Sequence, residues 1–156
     1  MSQPSFAHHH APMTLPITRL PHADGLPLPK HETDGAACID LIAACIEDMV
    51  MQPGERVGVP TGLCFAIPPG YHGQVWGRSG LAFKNGIAIL GGMVDCDYRG
   101  EIKVALINHG QEAFTISRGM RVAQFLIAPY ARVQTIEVAE LPATARGESG
   151  FGSTGK

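Results

Sequence analysis

Four short segments of the 156-residue sequence carry groups that could do chemistry. In GRSGLA, residues 77–82, Arg78 offers five guanidinium donors, Ser79 a hydroxyl and Gly80 a backbone N–H with no side chain to shield it. Opening a helical turn, that set suits phosphate oxygens, although an arginine and a helix cap in a turn would look the same. In GGMVDCDYRGEIKV, residues 91–104, Asp95 and Asp97 stand two apart and would share one face of an extended strand. One of the two carboxylates could act as general base toward water; the plainer reading is an acidic turn, Asp-Tyr-Arg-Gly. Gly91-Gly92 predicts a tight hairpin whose backbone can approach a planar ligand closely. In RGMRVAQF, residues 118–125, Gln124 is an amide among apolar neighbours and needs a partner, whether ligand or core. In the tail, RGESGFGSTGK, Arg146, Phe151, Ser153 and Thr154 set a cation, a ring and hydroxyl donors among glycines. The tail also matches GxxxxGK, the start of a phosphate-binding P-loop. It lacks the Ser/Thr and the helix that such a loop uses, and that reading is set aside.

Many short strands must hold these groups. There are 19 glycines and 12 prolines, together about a fifth of the chain against a usual ~12%. With 45% hydrophobic and 17% charged residues, the chain has the makings of a core rather than of a disordered polyampholyte. Turn signals every 8–12 residues divide it into β-type runs and indicate an all-β sandwich or barrel. Pro53-Gly54 and Pro69-Gly70 mark turns between strands, IAILGGMVDCDYRGEIKVALIN reads as strand, hairpin, turn and strand, and EAFTISRGMRVAQFLIAPYARVQTIEV supplies three strands more. SGLAFKN is the one expected helix, with Ser79 as its cap. Residues 1–12, with His8, His9 and His10, read as a disordered leader, 13–140 as one β domain and 141–156 as a flexible arm. A net charge of −2 gives no field to recruit nucleic acid, and the apolar runs are too short to span a membrane. No targeting segment is apparent, so a cytoplasmic location is expected. Cys38, Cys45, Cys64 and Cys96 form no CxxC pair; all but Cys96 read as buried small hydrophobes.

In this order the segments resemble the five motifs of the trimeric dUTPases: GAACIDLIA, GRSGLA, GGMVDCDYRGEIKVALIN, RGMRVAQF and RGESGFGSTG. The resemblance spans residues 13–156 and implies a jelly-roll-like β subunit, a homotrimer with active sites shared between subunits, and a C-terminal arm that closes over a neighbour's site. It implies hydrolysis of dUTP to dUMP and pyrophosphate, which keeps uracil out of DNA and supplies dUMP for thymidylate synthesis. Asp95 matches the aspartate that activates the attacking water, and Tyr98 the tyrosine under deoxyribose that excludes a 2′-hydroxyl. The hairpin with Gly92, Met93 and Val94 would read uracil, and Lys103 falls at a further substrate contact. Arg78, Ser79, Gly80 and Gln124 match the triphosphate-binding residues. Arg146 would meet the γ-phosphate and Phe151 stack on the base, with Gly152, Ser153 and Thr154 lending donors. Mg²⁺ would be held by phosphates and water, with Asp40 supporting it indirectly through water.

The sequence departs from the family pattern at Cys38-Ile39, Gly77, Ile89 and Ser149, none of them a chemically required group. The related dCTP deaminases share the fold, but Gly80, Phe83 and Ala105 stand where that enzyme has its serine, arginine and catalytic glutamate. A non-catalytic binding or signalling module of the same fold would not need both Asp95 and Arg146.

Overall fold

The computed structural model describes residues 13–148. The leader, Ser149, and the arm residues Phe151, Gly152, Ser153 and Thr154 lie outside this range. Among the described residues the strands are β1 (Ile17–Arg19), β2 (Ile39–Ile42), β3 (Met49–Met51), β4 (Arg56–Phe65), β5 (Tyr71–Trp76), β6 (Ile87–Ile89), β7 (Met93–Val94), β8 (Glu101–Asn108), β9 (Phe114–Ile116) and β10 (Arg121–Pro129). A 3-10 turn, Pro21–Ala23, follows β1, and the helix α1 spans Ser79–Asn85 between β5 and β6.

Two four-stranded sheets, ordered β1-β4-β8-β6 and β2-β10-β5-β7, enclose the core, and β3 pairs with β9 as a small third sheet. Alternation is cleanest in β8, where Ile102, Val104, Leu106 and Asn108 point inward and the residues between them do not. Asn108 is buried, and its polar atoms are satisfied: Nδ2 donates to Met51 O and Glu112 O, and Oδ1 accepts from Gly110 N. The sheets meet at Phe65 of β4 and Phe125 of β10, whose rings pack edge to face at 4.9 Å between centroids. Phe125 needs the space above Gly73 of β5. A Cβ there would lie 2.2 Å from Phe125 Cζ.

The all-β expectation holds, as do the single helix and the strands on either side of each Pro-Gly turn. Four details differ. The cap of α1 is Arg78, in extended conformation with no side-chain cap bond, and Ser79 is the first helical residue. Gly91-Gly92 makes no hairpin: β6 pairs with β8 and β7 with β5, so here the chain crosses from one sheet to the other. ARVQTIEV forms no strand, because a period-2 pattern needs a partner edge, and this segment has none within the described chain; Val133, Ile136 and Val138 are exposed. Of the three cysteines read as buried, only Cys45 is; Cys38 and Cys64 are half-buried, and all four thiols are free.

Gly73→Ala is expected to lower stability by about 1–3 kcal/mol through overpacking against Phe125. Gly58→Ala, where a Cβ meets no atom within 4 Å, should stay within about 0.5 kcal/mol of the wild type. Urea unfolding with an unchanged slope would measure both.

Candidate active site

Strand alternation puts Leu41 of β2 in the core and Asp40 on the outer face, yet Asp40 is only 8% exposed. Two guanidinium groups cover it. Arg78 Nη1 lies 2.7 Å from Oδ1, and Arg121 Nη1 donates to Oδ2 at 3.1 Å. Arg78 Nη1 is buried and off the hydrogen-bond direction, so it meets Asp40 as an ion pair and has no aligned hydrogen-bond acceptor. Gln124 sits in register with Asp40 on one side and Trp76 on the other, because β10 runs between β2 and β5. Ser79 and Gly80 follow Arg78 on the exposed first turn of α1, with open space where a Gly80 side chain would be. Asp40, Arg78 and Gln124, expected from three separate segments, are thus brought together. Burial, and after it the charge of the Asp40 carboxylate, pushes the Cys38 thiol up from its ordinary pKa.

A second cluster forms where the chain leaves β7. A cavity of about 270 Å³ is lined by Met93, Val94, Asp95, Tyr98, Glu101 and Lys103. Asp95 and Lys103 are exposed, and the Tyr98 phenol donates to the Glu101 carbonyl at 3.1 Å. Asp95 does not share a strand face with Asp97: β7 ends at Val94, and the chain turns, with Tyr98 N donating to Asp95 O at 3.2 Å. Both carboxylates nevertheless border a further cavity of about 530 Å³ with His72, Cys96 and Tyr130. There the bond to the Cys96 thiol, followed by the charge of the thiolate, pushes the Tyr130 phenol above its ordinary pKa. Gly92 lies apart, in a cavity with Trp76 and Gly77 that Met93 also lines. Its φ of +111° and a Cβ position 2.7 Å from Val75 O restrict that place to glycine, and its carbonyl accepts the Val75 N–H at 2.8 Å.

The two clusters are not adjacent in one chain. Val94 pairs with Gly73 and Gln124 with Trp76, so Asp95 and Gln124 are offset by four residues and two strands. At ~3.3 Å per residue and ~4.8 Å between strands, that is about 16 Å. Arg146 is exposed, near the end of the described chain.

Arg121 joins the Asp40 cluster, and pattern reading misses it. Three positions from Gln124, it belongs on the opposite face of a regular strand. A register shift between Arg121 and Ala123 turns it toward Asp40. The adjacent pair of buried residues, Val122 and Ala123, is its trace.

An all-β sandwich of this order, with one short helix, is the jelly-roll-like build of the dUTPases. The family model described as dUTPase matches residues 24–155, and the chain belongs to this family of enzymes. It is 54% identical over 152 residues to the deoxyuridine 5′-triphosphate nucleotidohydrolase of Rhizobium etli, covering 95% of this chain and 97% of the relative. To the enzyme of that name in Rhizobium rhizogenes it is 56% identical over 147 residues, 91% of this chain and 94% of the other. Among solved structures, the Staphylococcus bacteriophage 80alpha dUTPase with dUPNHPP superposes with a TM-score of 0.84 at 26% identity, covering 92% of this chain and 99% of that one.

Asp40→Ala is expected to cost about 3 kcal/mol, since it leaves Arg78 half-buried without its counter-charge. Arg121→Ala, at a half-exposed partner, should cost about 1 kcal/mol or less. Denaturant unfolding of the two variants side by side checks the ranking.

Proposed function

We propose that this dUTPase-family enzyme converts dUTP to dUMP and pyrophosphate by attack of an Asp95-activated water on the α-phosphorus. The convergence of Asp95, Tyr98 and Lys103 on one cavity carries the reading. The water oxygen bonds to phosphorus as the bond to the bridging oxygen breaks, pyrophosphate leaves, and Asp95 takes the proton. Tyr98 packs under deoxyribose, where a 2′-hydroxyl would collide, and Lys103 adds a cation beside the same space. The backbone of Gly92, Met93 and Val94 reads uracil, held in place by the Gly92–Val75 contact.

Arg78, Ser79, Gly80 and Gln124 bind the triphosphate. Because Gln124 lies about 16 Å from Asp95 in one chain, the homotrimer with shared sites, in which a second copy brings this set to Asp95, is the arrangement this reading favours. The fifth motif completes the enclosure, with Arg146 on the γ-phosphate and Phe151, Gly152 and Ser153 over the base and phosphates.

Among the described residues no three carboxylate, imidazole or thiol groups converge as a metal cage, and both Asp40 oxygens face guanidinium groups. This donor set fits a Mg²⁺ ion held by phosphate oxygens and water, with Asp40 at one remove. Such an ion supplies charge neutralisation on the triphosphate. The chain's own part is to position the phosphates and the water.

No helix among the described residues is long and apolar enough to cross a membrane. We place the enzyme in the cytoplasm, where it limits dUTP and feeds dUMP to thymidylate synthesis. Deamination of dCTP is disfavoured because Ala105, exposed on β8, puts no acid where the resemblance to deaminases requires one.

Pyrophosphate release assayed on dUTP, dCTP, UTP and dTTP should be confined to dUTP, and Asp95→Asn should slow it by about 10²–10⁴-fold with substrate binding retained. Unchanged turnover in that variant removes Asp95 as the base. Deleting residues 146–156 should abolish turnover while thermal unfolding of the β domain stays as in the full chain; full activity in the truncated protein rules out arm closure.

A further inference from the structure

Glu101, the first residue of β8, has no part in the reaction described above, yet its side chain is only 14% exposed and three groups surround its carboxylate. Oε1 accepts the Gly62 backbone N–H at 2.8 Å and lies 2.8 Å from His22 Nε2 in the 3-10 turn. Oε2 is 3.9 Å from Lys103 Nζ, across the edge of the Asp95 cavity. The main-chain carbonyl of the same residue accepts the Tyr98 phenol. Glu101 therefore joins the tyrosine of the site to the body of the sandwich.

The anchor is built into the sheet. The pairing of β4 with β8 shifts register between Pro60 and Cys64, and Gly62 lies within that bulge at φ +65°. A Cβ there would lie 2.3 Å from Ala23 Cβ, so glycine alone passes beneath the 3-10 turn. The bulge takes the Gly62 N–H off the ladder, and a buried N–H requires an acceptor, which the Glu101 carboxylate supplies. Thr61 Oγ1 closes the other side by donating to Ile102 O at 2.6 Å, and Leu20 N donates to Gly62 O at 2.8 Å. On the cavity side the Tyr98 ring lies against Gly100, where a Cβ would meet Oη at 2.4 Å. The ring thus rests on main chain that the Glu101 carboxylate holds down.

We propose that Glu101, clamped by Gly62 and His22, is a positioning residue for sugar selection. It holds Tyr98 at the depth where deoxyribose packs and a 2′-hydroxyl does not fit. This rests on the role of Tyr98 stated under the proposed function. A shift of about 1 Å in a group of this kind is enough to change a rate strongly, so losing the clamp admits the ribonucleotide before it harms the chemistry.

The test measures kcat and KM for dUTP and UTP on the full chain for wild type, Glu101→Ala, Glu101→Gln and His22→Ala, each below its melting temperature. In Glu101→Ala the dUTP-to-UTP ratio of kcat/KM should fall about tenfold, chiefly through a gain on UTP. His22→Ala, which removes one of the contacts, should lower the ratio about threefold. Glu101→Gln should restore most of it, because its amide oxygen still accepts the Gly62 N–H. A ratio unchanged within about twofold in the folded alanine variants overturns the proposal. So does an equal loss on both nucleotides, which is the mark of general loosening. If Glu101→Ala does not fold, His22→Ala decides, since it leaves the Gly62 bond in place. A wild type that turns over UTP as fast as dUTP overturns the role of Tyr98 itself.

Discussion

The contact of Phe125 with Phe65 across the sandwich, made possible by the bare Gly73, is the constraint from which the site's geometry follows. Phe125 can be buried only if β10 lies between β2 and β5 in one register. Strand alternation then sends its neighbour Gln124 to the outer face, between Asp40 and Trp76. Burial of one large ring therefore fixes a polar side chain one residue away. A one-residue slip would exchange the two, at the cost of a buried amide and an exposed ring. This direct link between packing and chemistry makes the outer face of β10 a dependable platform.

Charge is arranged on that platform with economy. A single buried carboxylate, Asp40, meets two arginines of different exposure, so one cation is held firmly while the other remains half in solvent. Arg78 has its charge offset by Asp40, and the exposed Ser79 and Gly80 follow it on the first turn of α1. At the other end of the sheet, Asp95 stays exposed on a turn. The two clusters stand about 16 Å apart along and across the sheet.

Much of this was legible in the residues. GRSGLA, the Asp95–Lys103 segment and Gln124 stand out because each sets polar groups where an apolar strand has no use for them, and the Pro-Gly turns mark strand ends correctly. Other features could not be read, for definite physical reasons. Arg121 reaches Asp40 only through a bulge, and a bulge breaks the period on which strand reading rests. Gly91-Gly92 looked like a hairpin because two glycines between apolar runs satisfy local turn chemistry; whether the runs pair is decided by which sheet each joins. The segment ARVQTIEV alternates like a strand and is coil, since alternation describes a face and not a partner. Glu101 and His22 are 79 residues apart, and no local pattern announces their contact.

The sequence by itself determined the all-β class, the positions of most turns, and the identity of most of the polar groups from which the two clusters are built. These are properties of single residues and short windows: side-chain chemistry, glycine's conformational range, and period-2 alternation. Only the tertiary structure decided that Asp40, Arg78 and Gln124 form one cluster, that Asp95, Tyr98 and Lys103 form another, and that one chain does not join them. The reason is that strand order is a matter of long-range pairing. Two sheets packed on one core can place residues far apart in sequence at hydrogen-bonding distance, and residues of neighbouring motifs a sheet's width apart.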